Sequence, residues 1–487
     1  MSGANPKIQP HPKTATAPTP RLHSPQMLNR DVVITGLGAI TGHGVGVDAM
    51  WQGLLEGRSA LAPISAFDAS GFPCSIAAEI PDFSARDYVP KSYRKAVKVM
   101  ARDIQIAVAA ARLAVEDAGL TTKDLAEGET PTYAPDRVGC QIGAGLIACE
   151  IDELTRALIT SVGDNGDFDH RAWGNGGMNN LPPLWLLKYL PNMLACHVTI
   201  LHGCEGPSNT ITCAEASGLL SLGESLRVIQ RDDADACFSG GAESKLNLMG
   251  MARLELAGRL APTTPDDATH AADLVRPFDP DATGTLAAEG GGVVILEEAR
   301  HAQARGATSY AEVLGFGAAQ GPPPFPVLDL ADADDLHTGE SPSDGLRWAI
   351  ESALADAGVS ADDIDAIVPT GSGIRDADAI EADALRAVFG ERLASVPLVT
   401  IRPSLGDCQA GNGALQIAVA AQCLRTQQLP ARLHAGTPAA GLDASAADAR
   451  PAPLRRVLVC SSSLGGQSAA VVLGRAAPEG TQHANQG

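Results

Sequence analysis

In the stretch Ile211 to Ser225, ITCAEASGLLSLGES, a β-branched run gives way to an Ala- and Leu-rich helical pattern across Cys213-Ala214-Glu215-Ala216-Ser217-Gly218. A side chain at such a strand-to-helix turn faces unpaired helix amides and the positive end of the helix dipole, the setting that favours a thiolate nucleophile. The residue at the centre of this turn is Glu215, a carboxylate. The dipole favours it, but a carboxylate forms acyl anhydrides only at high energy and carries acyl groups poorly. Cys213 offers a thiol two residues earlier, where the turn points its side chain elsewhere. Three other turns hold polar residues among glycines: Pro369-Thr370-Gly371-Ser372-Gly373, Arg402-Pro403-Ser404-Leu405-Gly406-Asp407 and Ser462-Ser463-Leu464-Gly465-Gly466. Taken singly, Glu215 reads as a solvated helix-face residue, Thr370 as structural, and Arg402 and Asp407 as surface charges.

The elements that must hold these turns alternate along the chain. Apolar, β-branched runs predict strands at Asp31 to Ile40 and near Val138, Cys237, Val294, Ile367, Val457 and Val471. Ala-rich amphipathic segments between them predict helices over Asp103 to Ala118, Ser217 to Gln230, Gly345 to Ala357 and Ala410 to Leu424. That alternation argues for α/β architecture with mostly parallel sheets between helices. The strand DVVITGLGAI is echoed at low resolution by DIDAIVPTGSG, each followed by a Gly-rich turn and helix. Residues 1–29, rich in Pro, Thr and Ser, are expected to be a disordered tail, with Met27 as an alternative start to Met1. A half over 30–300, a second over 301–475 and a flexible end over 476–487 complete the division, with Gly317 to Ser343 expected as a loop or insertion.

The composition excludes several classes. A formal charge of -21 over 487 residues argues against nucleic acid or an anionic membrane surface as the main partner. No apolar run approaches the roughly 20 residues that span a bilayer, and no signal-type core precedes residue 31, so a cytoplasmic protein without membrane insertion is expected. The 10 cysteines are scattered, without metal-ligand spacing or disulfide-scaffold density, and read as reduced, mostly buried residues. No cofactor or metal is expected.

Several segments, in order, resemble the β-ketoacyl-ACP synthases, the condensing enzymes of fatty acid and polyketide synthesis. They are VVITGLGAITGHG, MWQGLLEGRSAL, RVGCQIGAGLI, NMLACHVTILHGCEGPSNTITCAEASG, FSGGAES, RPFDPDATG with EGGGVVILEE, EADALRAVFG and SLGGQSAAVVL, covering roughly residues 31 to 474. The resemblance implies the thiolase fold, two similar halves in an α-β-α-β-α body, usually dimeric. It also implies a Cys nucleophile where Glu215 stands, a histidine where Thr370 stands, eleven residues before a helix-starting Glu381, and a second histidine where Asp407 stands. The family's lysine reads Arg402, its carboxylate partner fourteen residues on reads Gln416, and the Gly-Phe-Gly-Gly gating turn is altered to Ser462-Ser463-Leu464-Gly465-Gly466. Four losses at one catalytic apparatus point to a degenerate site. Arg402, freed of its carboxylate, is expected to pair with Glu215 as a plug, while His197 and His202 read as packing or interface residues.

The resemblance extends to the chain-length factors of type II polyketide systems, aryl polyene systems among them. These non-catalytic subunits form heterodimers with a catalytic ketosynthase and shape the tunnel for the growing chain. The implied interface is the strand Ser208-Asn209-Thr210-Ile211-Thr212-Cys213. Acyl carrier protein, typically acidic, is expected to dock mainly on the partner. Two alternatives remain. One is a malonyl-ACP decarboxylase, in which Glu215 takes the place of a nearly isosteric Gln. The other is a homodimeric acyl-binding scaffold.

Overall fold

The apolar runs form the strands of a computed structural model that describes residues 30–476 apart from 124–127, 129 and 324–340. The principal strands are β1 (Val32–Thr41), β2 (Val138–Gly143), β3 (Ser208–Ile211), β4 (Ala236–Ser244), β5 (Glu289–Glu298), β6 (Ala311–Gln320), β7 (Ala366–Val368), β8 (Arg456–Ser462) and β9 (Gln467–Arg475). The principal helices are α1 (Arg102–Asp117), α2 (Met193–His202), α3 (Ser217–Gln230), α4 (Leu248–Leu256), α5 (Asp344–Ala357), α6 (Arg375–Phe389) and α7 (Asn412–Thr426). The expected tail over 1–29, the choice of start and residues 477–487 lie outside the described residues.

The strand order is β7-β8-β9-β6-β1-β5-β4-β2-β3. Only Val33 with Glu312 and Ile34 with Ala311 pair across β1 and β6, so the sheet is two sheets meeting at a short seam. Read outward from that seam, β1-β5-β4-β2 and β6-β9-β8-β7 repeat the same senses: antiparallel, antiparallel, parallel. The internal echo is therefore real, but it relates the Ile367 strand to the Val138 strand, and β1 to β6, rather than β1 to the Ile367 strand. The sheets are mixed, not mostly parallel. Between β8 and β9 only Ser463 to Gly466 intervene, too few for a parallel crossover, so the two strands form a hairpin. The expected loop from Gly317 begins later, because β6 runs to Gln320; residues 324–340 of it lie outside the described residues.

Helices α3 and α7 lie between the two sheets, α1 covers the first sheet and α5 with α6 covers the second, which gives the α-β-α-β-α body of the thiolase fold. The two central helices touch backbone to backbone. A Cβ added at Gly218 would stand 2.9 Å from the Ala414 amide nitrogen and 3.0 Å from Gly413 Cα, so both crossing positions require glycine. That crossing sets the start of α3, and with it Glu215, against the start of α7. All 10 cysteines are free. Among the described residues no helix is long and apolar enough to cross a membrane, and no three or more His, Cys, Asp or Glu side chains cluster as metal ligands.

Candidate degenerate active site

The turn before α3 keeps a sharp geometry. Ala214 has φ 46°, a left-handed conformation that is strained for a residue with a Cβ, and it throws Glu215 inward at the head of the helix. Glu215 is 2% exposed, and its carbonyl accepts a hydrogen bond from Ser461 Oγ at 3.1 Å. Cys213 turns away: its amide donates to Ser217 Oγ at 2.8 Å, and burial pushes its thiol pKa up, the reverse of nucleophile activation.

The cation facing Glu215 is Arg259, not Arg402. Arg259 Nη2 is ion-paired with Glu215 Oε1 and stands 3.2 Å from Asp407 Oδ2, so one guanidinium bridges both carboxylates. Its position follows from the end of α4, where Gly258, just past the C-cap Ala257, has φ 63°; the next residue lies in the body, where it is 5% exposed. Burial disfavours the Arg259 charge, but Glu215 and Asp407 outweigh it and the pKa rises. Arg402 opens the short helix Arg402–Leu405 and is directed instead at Asp407, with Nη1 3.6 Å from Oδ1. Five residues and the Gly406 reversal at φ 73° separate it from Asp407, the carboxylate it faces. Burial raises the Asp407 pKa, yet Arg402 and Arg259 hold it below the ordinary value. Asn412 Nδ2 and Gln409 Nε2, both at 2.6 Å, and the Gln409 backbone amide at 3.0 Å also donate to it. Two buried cations thus balance two buried carboxylates.

Thr370 and the gating turn close the other side. Glu215, Thr370, Ser462 and Leu464 all line one narrow pocket of about 40 Å³, together with Arg259. None of the described residues lining it is a histidine or a cysteine. The eleven-residue spacing is a real contact: Glu381 Oε1 accepts from the Thr370 amide at 2.8 Å and Oε2 from the Gly371 amide at 2.9 Å. Glu381 sits in the second turn of α6 rather than at its start, because the helix begins at Arg375. Gln416 does not reach Arg402 by any hydrogen bond among the described residues. It donates to the carbonyls of Pro369 at 2.6 Å and Cys460 at 3.1 Å, tying α7 to the ends of β7 and β8. His197 and His202 are buried packing residues, bonded to Tyr93 and Thr122 at 2.8 Å each.

Burial, with Asp378 second, pushes the Glu381 carboxyl up from 4.5 to about 7. A carboxyl with a raised folded pKa contributes stability below its unfolded value and loses it as pH rises through the folded one. Denaturant stability is therefore expected to fall by roughly 2 to 3 kcal/mol on this account between pH 4.5 and 8. Glu381→Gln should flatten that slope, and an unchanged slope would exclude Glu381 as its source.

Strand β3 is the free edge of the first sheet, and only Ser208 to Ile211 belong to it; Thr212 and Cys213 lie beyond its end. Pro207 and Ile211 carbonyls accept from Cys140 and Ala144, so by alternation Ser208 and Thr210 turn their backbone groups to the open side. The Thr210 amide there is covered by Asn209 Oδ1 at 2.8 Å. Large apolar side chains stand exposed nearby in chain order, among them Leu146, which follows β2, and Ile200 on α2, which packs on β2 and β3.

The sequence matches two family models, Beta-ketoacyl synthase, N-terminal domain, over residues 29–302 and Beta-ketoacyl synthase, C-terminal domain, over 331–436. It is 32% identical to 3-oxoacyl-[acyl-carrier-protein] synthase 2 of Coxiella burnetii, over 92% of this chain and 99% of that one. It is 31% identical to a putative polyketide beta-ketoacyl synthase 1 of Streptomyces cyaneus, over 92% of this chain and 98% of that one. Among solved structures, the ishigamide ketosynthase/chain length factor superposes with a TM-score of 0.74 at 29% identity, over 92% of this chain and all of that one. With both domains matched in order across the two halves of the fold, the chain belongs to the β-ketoacyl synthase family.

Proposed function

We propose that the chain is a non-catalytic ketosynthase-like subunit, a chain-length factor, that pairs with a catalytic ketosynthase and shapes the tunnel for the growing acyl or polyketide chain. The observation that carries this reading is Glu215 at the nucleophile turn, fixed by Arg259 in a pocket whose described lining offers neither thiol nor imidazole. A carboxylate held by a guanidinium is a poor acyl carrier, and no histidine among the described residues lining the pocket takes the place of the two that would stabilise an enolate. The open edge of β3 and the exposed apolar residues Leu146 and Ile200 support a pairing surface. The similarity to the structure described as the ishigamide ketosynthase/chain length factor supports a role within such a pair.

Carbon dioxide release from malonyl-ACP by the purified chain tests the reading. No release above background is expected, and Glu215→Cys should remain inactive, since a thiolate without the histidines lacks proton and charge management. Release that disappears in Glu215→Ala would establish a decarboxylase instead. Full condensation by Glu215→Cys would show that Thr370 and Asp407 do not occupy the histidine positions.

Carrier docking mainly on the partner rests on the charge of -21. Against that background Lys91, Arg94, Lys95 and Lys98 form one exposed basic run. Changing all four to Gln is expected to alter carrier affinity for the heterodimer by less than about twofold at physiological salt, where exposed charges are screened beyond the Debye length. A tenfold loss would place the docking site on this chain.

A further inference from the structure

We propose that the buried pair of Glu243 and Lys245 is a positioning device that holds Leu146 out from the first sheet as an anchor for the partner ketosynthase. The proposal rests on the reading of this chain as a paired subunit. From Gly139 to Ala148, through β2 and the loop after it, every residue is buried except Leu146, which is 63% exposed. A large apolar side chain so placed adds little to its own fold.

The loop is fixed from beneath. Lys245, one residue past β4, donates from Nζ to the Leu146 carbonyl at 2.9 Å and is ion-paired with Glu243 of β4. Both side chains of the pair are buried. Glu243 Oε2 also accepts from the Ala410 amide at 2.9 Å, which ties the clamp to the turn before α7. Gly145 lies so close to the Glu243 carboxylate that a Cβ there would overlap it, and Asn247 Nδ2 donates to the Ala148 carbonyl at 3.0 Å. Taking an ammonium and a carboxylate out of water costs free energy that apolar side chains of similar volume would avoid. What the pair holds is the carbonyl of the residue that projects outward.

Continuity with the open edge assigns the occupant. The Ala144 amide donates to the Ile211 carbonyl at 2.9 Å, so the loop leaves β2 joined to the last residue of β3, and Leu146 follows two residues later. The 4 residues of β3 span only roughly 14 Å, whereas a stable pair buries on the order of 800 Å² on each side. A subunit that pairs with β3 must therefore cover the surface beside it. A leucine already held in place there meets that subunit with little ordering left to do.

The test is the affinity of the full chain for the ketosynthase that pairs with the parent, titrated on the immobilised partner. Leu146→Ala, a change at an exposed side chain, is expected to weaken pairing about tenfold. Glu243→Gln combined with Lys245→Met removes both charges together, and should weaken pairing several-fold in the parent but by less than about twofold in Leu146→Ala, where no anchor is left to position. A pair that serves the fold alone would cost the same in both backgrounds. Should the double variant melt out, Asn247→Ala, which frees the Ala148 end of the loop, is read in the same two backgrounds. Pairing of Leu146→Ala within about twofold of the parent, or an equal loss in both backgrounds, would overturn the proposal. If the parent pairs with no ketosynthase, the subunit reading falls and this proposal with it; a parent that pairs while Leu146→Ala pairs equally removes the anchor alone.

Discussion

Arg259→Ala is expected to destabilise the fold by roughly 3 to 5 kcal/mol, the cost of removing one partner from a buried ion pair. The substitution leaves Glu215 buried at 2% exposure with no cation bonded to it, while Asp407 keeps Arg402 at 3.6 Å and its amide donors. The loss therefore falls mainly on Glu215. Urea denaturation measures it as a lower midpoint at constant m. Arg259→Met combined with Glu215→Met should recover most of the stability, since an apolar pair of similar volume removes both charges together. A single Arg259→Ala variant within about 1 kcal/mol of the parent, the range of exposed pairs, would mean that the bridge does not hold the turn.

Thr210→Pro should abolish pairing with a ketosynthase while leaving the chain folded. The Thr210 backbone faces the open edge of β3, so proline removes a donor that the first sheet does not use. Against an antiparallel partner strand the same change costs roughly 3 kcal/mol or more, on the order of a hundredfold in Kd. Thr210→Val keeps the amide and the β-branched side chain and should bind within a few-fold of the parent. Equal affinity of Thr210→Pro and the parent, measured by surface-immobilised titration, would remove β3 from the interface.

The parts legible in the sequence were those written in continuous local patterns. The buried strands around Val138, Cys237, Val294, Val457 and Val471 and the helix Ser217–Gln230 follow directly from apolar runs and period. Strand β6 was hidden because its burial alternates and its glycines run into a loop-like segment. The echo between halves was matched to the wrong strands because strand-Gly-helix units look alike, and only the sense of pairing about the β1–β6 seam separates them. At the site, Glu215, Thr370, Asp407 and Leu464 occupy one locality, and the spacing of Thr370 from Glu381 is a hydrogen-bonded contact. Arg259 carried no signal. It is a single arginine after a helix-ending glycine, a pattern more common at a surface, and its burial depends on the distant Asp407.

Native mass spectrometry of the full chain co-expressed with a catalytic ketosynthase bears most directly on the role as a partner subunit. A 1:1 heterodimer is expected, with little of this chain recovered as a homodimer. A stable homodimer that binds acyl carrier protein tightly, with no ketosynthase co-purifying, would contradict the chain-length-factor role and favour a homodimeric acyl-binding scaffold.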